Sequence, residues 1–176
     1  MSTETEPFQY PENSIEAVLA YPDKQRAMES LLCVAQSPLP LGGGPRTIRF
    51  CVLGTVYWST NWSGFRHAVE NIGEELREAV LMLREIEAVK TAAVLEETLA
   101  LFPADPFPNL HEMMDATDSV CLSDPEIFER LGDRFLKSFS EEEDVLLRLH
   151  GWVSANRAWF PPMQQTPKGK WVVVRK

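Results

Sequence analysis

From residue 65 to residue 102 the apolar side chains recur at the spacing of an α-helix. Phe65, Ala68, Val69 and Ile72 stand at i, i+3, i+4 and i+7, which lays them on one face of a 3.6-residue period. Leu76, Ala79, Val80, Leu83 and Ile86 repeat the pattern, and Ala88, Ala92, Leu95, Leu99 and Phe102 repeat it again. Gly64 permits an unusual backbone at the entrance to the first segment, and Gly73 suits the left-handed residue that ends a helix. The two later segments predict a helical hairpin. Short amphipathic helices gain most of their stability from tertiary packing, so this stretch dictates a fold in which several apolar stripes share one core.

The flanking sequence extends that reading. "NSIEAVLAY" pairs Asn13 with Glu16 as a capping box and predicts a short helix ending before Pro22. "DKQRAMESLLCVA" predicts a second helix, and the breaker-rich "SPLPLGGGP", residues 37–45, a loop. "RTIRFCVLGTVYW" reads as a central helix, although its β-branched and aromatic residues would also suit a strand. "PADPFPN" interrupts regular structure, and "LHEMMDA" predicts a short helix. "SDPEIFERLGDRFLKSF" predicts a helix capped by Ser123 or Asp124 with Pro125 in its first turn. Ser140 with Glu143 offers a further capping box opening a long last helix, whose stripe is Val145, Leu149, Trp152, Asn156 and Trp159, flanked by Leu146, Val153 and Phe160. The tail "KGKWVVVRK" predicts a short strand or an extended arm, with no pairing partner evident. The expected architecture is all-α, a single-domain multi-helix bundle. Residues 1–45 supply N-terminal helices and a Gly/Pro-rich loop packing on the core, residues 46–160 the helical domain, and residues 161–176 a basic extended tail. A chain of 176 residues fits one core and needs neither metal nor disulfide to hold it.

Charge narrows the function classes. Residues 70–144 hold 20 of the 26 acids against 6 bases, whereas residues 145–176 hold 6 bases and no acid. An acidic body of this kind repels nucleic acid and attracts cationic surfaces over about a Debye length, ~8 Å in physiological salt. Direct nucleic-acid binding is therefore not expected. Every apolar run is broken by charge well short of the roughly 20 residues that cross a bilayer, and the acidic, polar opening lacks a secretory pattern, so a cytoplasmic location is expected. Cys33, Cys51 and Cys121 are scattered through apolar segments and read as reduced, buried thiols.

Motifs for chemistry are sparse. His67, His111 and His150 lie far apart, and "HEMMD" lacks the second histidine, one turn on, that a metalloprotease helix needs. No metal site and no cofactor is expected. Ser63-Gly64 lacks the flanking glycine of a nucleophile elbow, and "GGGPRT" lacks the lysine of a phosphate loop. His67, Glu70 and Asn71 could share a proton-handling site, but a polar helix face explains the same spacing. No catalytic residue is assigned. Among the acids, Glu126 with Arg130 and Asp133 with Lys137 are spaced to pair at i, i+4. Glu74, Glu75 and Glu78, with only Arg77 beside them, and Glu141, Glu142, Glu143 and Asp144 have no such balance, and are the better candidates for meeting a cationic partner.

The run from Asn61 to Phe102 resembles the bacterial family named after DNA mimic protein 19. Its hallmark is an Asn-rich turn, Gly-Phe, a glutamine and a later Asn, matched here by Asn61, Gly64, Phe65 and Asn71 with His67 in place of the glutamine. The next helix pair also matches, with Glu87 at a position usually held by glycine, and "SDPEIFERLGDRFL" and "LLRLHGWVSANRAWF" resemble the C-terminal half, so the likeness spans about residues 46–160. The resemblance implies an α-helical domain, often a homodimer, without established catalytic activity. The namesake is similar to duplex DNA in surface charge and binds a helix-turn-helix regulator. The expectation is thus a non-enzymatic acidic module that captures a basic protein, with the DNA-binding face of a regulator as candidate, through Glu74, Glu75, Glu78, Glu141, Glu142, Glu143 and Asp144. The alternatives are a small hydrolase or transferase using His67, Glu70 and Asn71, and a toxin-neutralising partner protein.

Overall fold

The segment with the most strand-like composition forms the longest helix among the described residues. The computed structural model describes residues 15–35, 44–102, 110–160, 163–165 and 171–173. In it α3 runs over Gly44–Ser63, with Pro45 in the first turn, where its missing N–H costs nothing. Burial overrides propensity here. Phe50, Leu53 and Val56 are fully buried, and α3 packs against helices on several sides. Its hydroxyls return to its own backbone, Thr60 Oγ1 donating to Val56 O at 2.7 Å and Thr55 Oγ1 to Cys51 O at 3.1 Å. Gly54 lets α2, residues Lys24–Ala35, approach closely, because a Cβ at 54 would stand 3.1 Å from Leu32 O.

The remaining elements surround α3. α1 spans Ile15–Ala20, α4 Phe65–Ile72, α5 Leu76–Glu85, α6 Val89–Leu99, α7 Leu110–Ser123, α8 Ile127–Lys137 and α9 Val145–Ala155. α3 contacts α2, α4 and α5; α5 pairs with α6; α2 lies on α9, and α8 spans α4 and α6. The apolar stripe of α4 is buried as its spacing demands, at Phe65, Ala68, Val69 and Ile72. All five stripe residues of the next segment are buried too. Gly64 and Gly73 both adopt positive φ, +89° and +55°, so the two glycines turn the chain sharply into and out of α4. The α5–α6 hairpin is closed by a left-handed residue: Glu87 has φ 62°, while Glu87 N donates to Arg84 O and Ala88 N to Leu83 O. These are the two bonds of a Schellman turn.

Several local expectations change. The cap at Asn13 and the segments 37–43 and 103–109 lie outside the described residues. α7 is fourteen residues long rather than a short helix. α8 begins at Ile127, after a turn at Pro125-Glu126 in which Ile127 N donates to Asp124 O, and the Asp124 carboxylate binds Arg130. The expected Glu126–Arg130 and Asp133–Lys137 pairs give way to longer-range ones: Arg130 pairs with Asp124, Arg134 with Glu97 of α6, and Lys137 lies 4.0 Å from Glu142. The thiols are less buried than expected, Cys33 exposed and Cys51 and Cys121 intermediate, since each flanks an apolar stripe instead of lying within it. α9 ends at Ala155. Asn156 stops it, its side chain donating to Trp152 O at 2.8 Å, and a 3₁₀ turn at Arg157–Trp159 follows. The tail strand does have a partner: Trp171–Val173 (β2) pairs antiparallel with Met163–Gln165 (β1), Gln164 opposite Val172. The fold is an all-α bundle with this small appended pair.

Candidate functional site

The two acidic runs singled out above meet different fates. After α8 the chain continues through a π turn, Ser138–Glu142, which absorbs Ser140 into helical structure, so the expected capping box there does not form. Asp144, in a left-handed conformation, caps α9 instead, accepting from Leu147 N at 3.4 Å and from Gln25 Nε2 at 3.0 Å. Glu143 turns inward and is 8 % exposed. It reaches the start of α6, whose own cap position is Ala88 and offers no side-chain acceptor. One Glu143 oxygen accepts from Lys90 N at 2.8 Å, and the other accepts from Thr91 N at 2.8 Å and Thr91 Oγ1 at 2.7 Å. The orphan donors of a helix start are thus satisfied by a carboxylate more than fifty residues away. Burial pushes this carboxyl up, but the three hydrogen bonds and the charge of Arg148 outweigh it and hold the group below the usual glutamate value. Glu142 pairs with Lys90 Nζ at 2.9 Å. Of the four acids, only Glu141 is exposed without a hydrogen-bond or ion-pair partner among the described residues.

The earlier run lies at the α4–α5 junction. Glu78 is bonded to Arg49 Nε of α3 at 2.9 Å. Glu74 and Glu75 are exposed, on a 3₁₀ turn at Gly73–Glu75 that leads into α5, and neither has an ion-pair partner among the described residues. They stand at the edge of a cleft of about 240 Å³. Glu70, Asn71, Ile72 and Gly73 continue that edge, and Leu110 and Met113 of α7 form the facing wall. The residues of α7 were not legible as part of this site. Their only signal was the i, i+3 spacing of Leu110 and Met113.

A second hollow of about 450 Å³ lies between α2 and the π turn, with Asp23, Glu29 and Asp144 among its lining residues. Its acids are already engaged: Asp23 caps α2 by accepting from Arg26 N, Glu29 accepts from Tyr57 Oη, and Asp144 accepts from Gln25. The smaller cleft, which carries Glu74 and Glu75 without ion-pair partners among the described residues, is the better candidate.

His67, Glu70 and Asn71 do not converge on one point. His67 is exposed and lies 2.8 Å from Asn71 through Nε2 and Nδ2. Glu70 faces the other way, accepting from Arg66 Nε at 2.7 Å and from Thr117 Oγ1 at 2.8 Å. Arg66 also binds Asp118 of α7. Glu70 is therefore committed to joining α4 to α7.

The hallmark residues are structural joints. Asn61 Nδ2 donates to Tyr57 O at 2.8 Å near the end of α3, Gly64 makes the turn, and Phe65 is buried against α8. Gly132 of α8 makes room for that ring, because a Cβ at 132 would fall 2.7 Å from Phe65 Cβ. Asn71 Nδ2 donates to His67 O at 3.0 Å. The family model described as DMP19-like protein matches residues 47–156, from the first turn of α3 to the end of α9. The chain belongs to this family. No curated protein and no solved structure matches it. Among the described residues, no helix is long and apolar enough to cross a membrane.

Proposed function

We propose that this DMP19-like protein is a non-enzymatic binding module that captures a basic protein surface, the DNA-binding face of a regulator being the favoured target. One observation carries the reading: Glu74 and Glu75 stand exposed, without an ion-pair partner among the described residues, beside a cleft walled by Leu110 and Met113. Lysine and arginine join an aliphatic stem to a charged head, so an apolar wall next to exposed carboxylates complements both parts. Such pairs steer encounter and fix register, and charge-assisted hydrogen bonds follow on contact. Membership in a family whose name refers to DNA mimicry supports a DNA-binding partner. On this reading Glu74 and Glu75 act together with Glu141 as the outward-facing acids, whereas Glu78, Glu142, Glu143 and Asp144 are engaged within the fold.

The test is capture of basic proteins from cell extract on the immobilised chain at low salt, followed by elution with salt and, separately, with duplex DNA. A DNA-binding protein released by both, and lost with the Glu74→Gln/Glu75→Gln pair, is the expected result. Retention insensitive to salt would sink the electrostatic mechanism. Release by salt but not by DNA would leave acidic capture standing and remove mimicry.

A further inference from the structure

Helix α7 is held to the molecule by different means from its neighbours. Only Met113 and Thr117 of its fourteen residues are buried, whereas α5 buries five of ten and α8 four of eleven. Leu110, Met114 and Leu122 face outward, Leu122 being 87 % exposed. Apolar burial is what chiefly docks a helix, and α7 has little of it.

Met113 enters the core and Val120 and Cys121 pack partly against it, and polar contacts supply much of the rest of the attachment. The Arg66 guanidinium of α4 binds Glu70 on its own helix and Asp118 on α7, and its Nη1 lies 3.7 Å from Cys121 Sγ. The Thr117 hydroxyl shares its one proton between Glu70 and its own helix's Met114 O, each at 2.8 Å. At its C-terminal end α7 passes directly into α8 through a bonded turn: Asp124 N donates to Val120 O and Ile127 N to Asp124 O, while the Asp124 carboxylate is bound to Arg130. One end is thus tied to α8, and among the described contacts the face along α4 is secured by buried Met113, the Thr117–Glu70 bond and one partly exposed cation, Arg66, between two carboxylates.

We infer that α7 is a hinged strap: it opens away from α4 as a unit about residues 124–126, at lower free energy than the rest of the bundle, and Arg66 is its latch. Opening removes Leu110 and Met113 from the cleft and uncovers Ile72. The inference rests on attachment alone and holds whatever the cleft binds.

Native-state hydrogen exchange on the full chain tests it. The amides of residues 114–123 should exchange through an opening that leaves α5 and α8 protected, and added salt should speed that opening by screening the exposed part of the latch. Arg66→Gln, which keeps the stem and loses the charge, should raise α7 opening about tenfold, as expected for losing charged hydrogen bonds, with α5 and α8 unchanged. Arg84→Gln, which breaks the Arg84–Glu96 pair between α5 and α6, should leave α7 exchange as it was. The strap is overturned if α7 exchanges only in step with α5 and α8, or if Arg66→Gln speeds all three helices equally.

Discussion

The stretches "GEELRE", residues 73–78, and "SEEED", residues 140–144, each carry three glutamates, and the fold uses them in opposite ways. The first lies at the start of its own helix, α5, where carboxylates complement the helix dipole without leaving water. The second lies on a π turn that passes the start of a different helix, α6, which has no side-chain cap of its own. Glu143 is drawn in to supply one. Density of like charge along a chain therefore says little about availability. What decides is whether a buried donor nearby lacks an acceptor, because leaving such a donor unpaired costs about 1–3 kcal/mol.

The sharpest way to break this contrast is to truncate one acid from each run. Glu143→Ala removes the acceptor for two backbone N–H groups and one hydroxyl in a buried setting, and should cost about 3 kcal/mol in urea unfolding, judged by the shift of the midpoint at constant slope. Glu75→Ala should stay within about 0.5 kcal/mol, as surface changes do. Equal losses at the two positions would show that the inward and outward assignments are mistaken.

Acid titration separates the charge of Glu143 from its shape. The folded-state value of Glu143 lies below the ordinary one, so its contribution is complete above the usual glutamate range, roughly 4.3, and disappears as pH falls through the depressed folded value. In the unfolded chain the group takes up its proton first, and that difference favours unfolding. Glu143→Gln should flatten this acid limb of the stability curve, and an acid limb left unchanged by that substitution would show that the Glu143 charge does not serve the cap.

The helices were largely legible in the sequence. The stripes at 65–72 and 76–86 fix burial because one face must leave water, and the structure buries each of those residues. The run at 46–58 reads as a central helix whose β-branched and aromatic residues would also suit a strand, and burial on several sides decides for the helix. The acidic sites were legible only in part. That Glu143 would cap α6 depends on Ala88 and the π turn meeting in space, a contact between segments more than fifty residues apart that leaves no local mark. The cleft is hidden for the same reason, since two of its eight lining residues, Leu110 and Met113, come from α7. The polar residues of 61–71 read as a helix face, with a proton-handling site as the alternative; Asn61 and Asn71 donate to carbonyls of their own helices, and Glu70 joins α4 to α7.

The outward run has its own test, smaller in energy than the loss of the inward cap. Replacing Glu74 and Glu75 together by glutamine should weaken binding of a captured basic partner about tenfold at low salt, with little effect near 0.5 M salt, where the Debye length shrinks to roughly 4 Å. Unfolding by urea should be unchanged. If Glu142→Gln weakens binding as much, the pairing of Glu142 with Lys90 does not withdraw that carboxylate from partners, and the division between the runs must be redrawn.

Glu87 lies between the two runs in sequence and shows a third fate, in which the backbone matters and the carboxylate does not. Its φ of 62° is one that glycine adopts freely and other residues adopt at about 1 kcal/mol or more. Ile86 O and Glu87 O accept from Arg148 Nη1 at 3.3 and 3.2 Å, so the turn is held by bonds to its carbonyls, not by the exposed side chain. Glu87→Gly relieves the strain, but it also frees the unfolded chain, which offsets roughly half of the gain. The net expectation is a stabilisation of about 0.5 kcal/mol, visible as a slightly higher urea midpoint with binding unaffected. A loss of stability instead would mean that the Glu87 carboxylate does work within the fold, and would move it into the same class as Glu143.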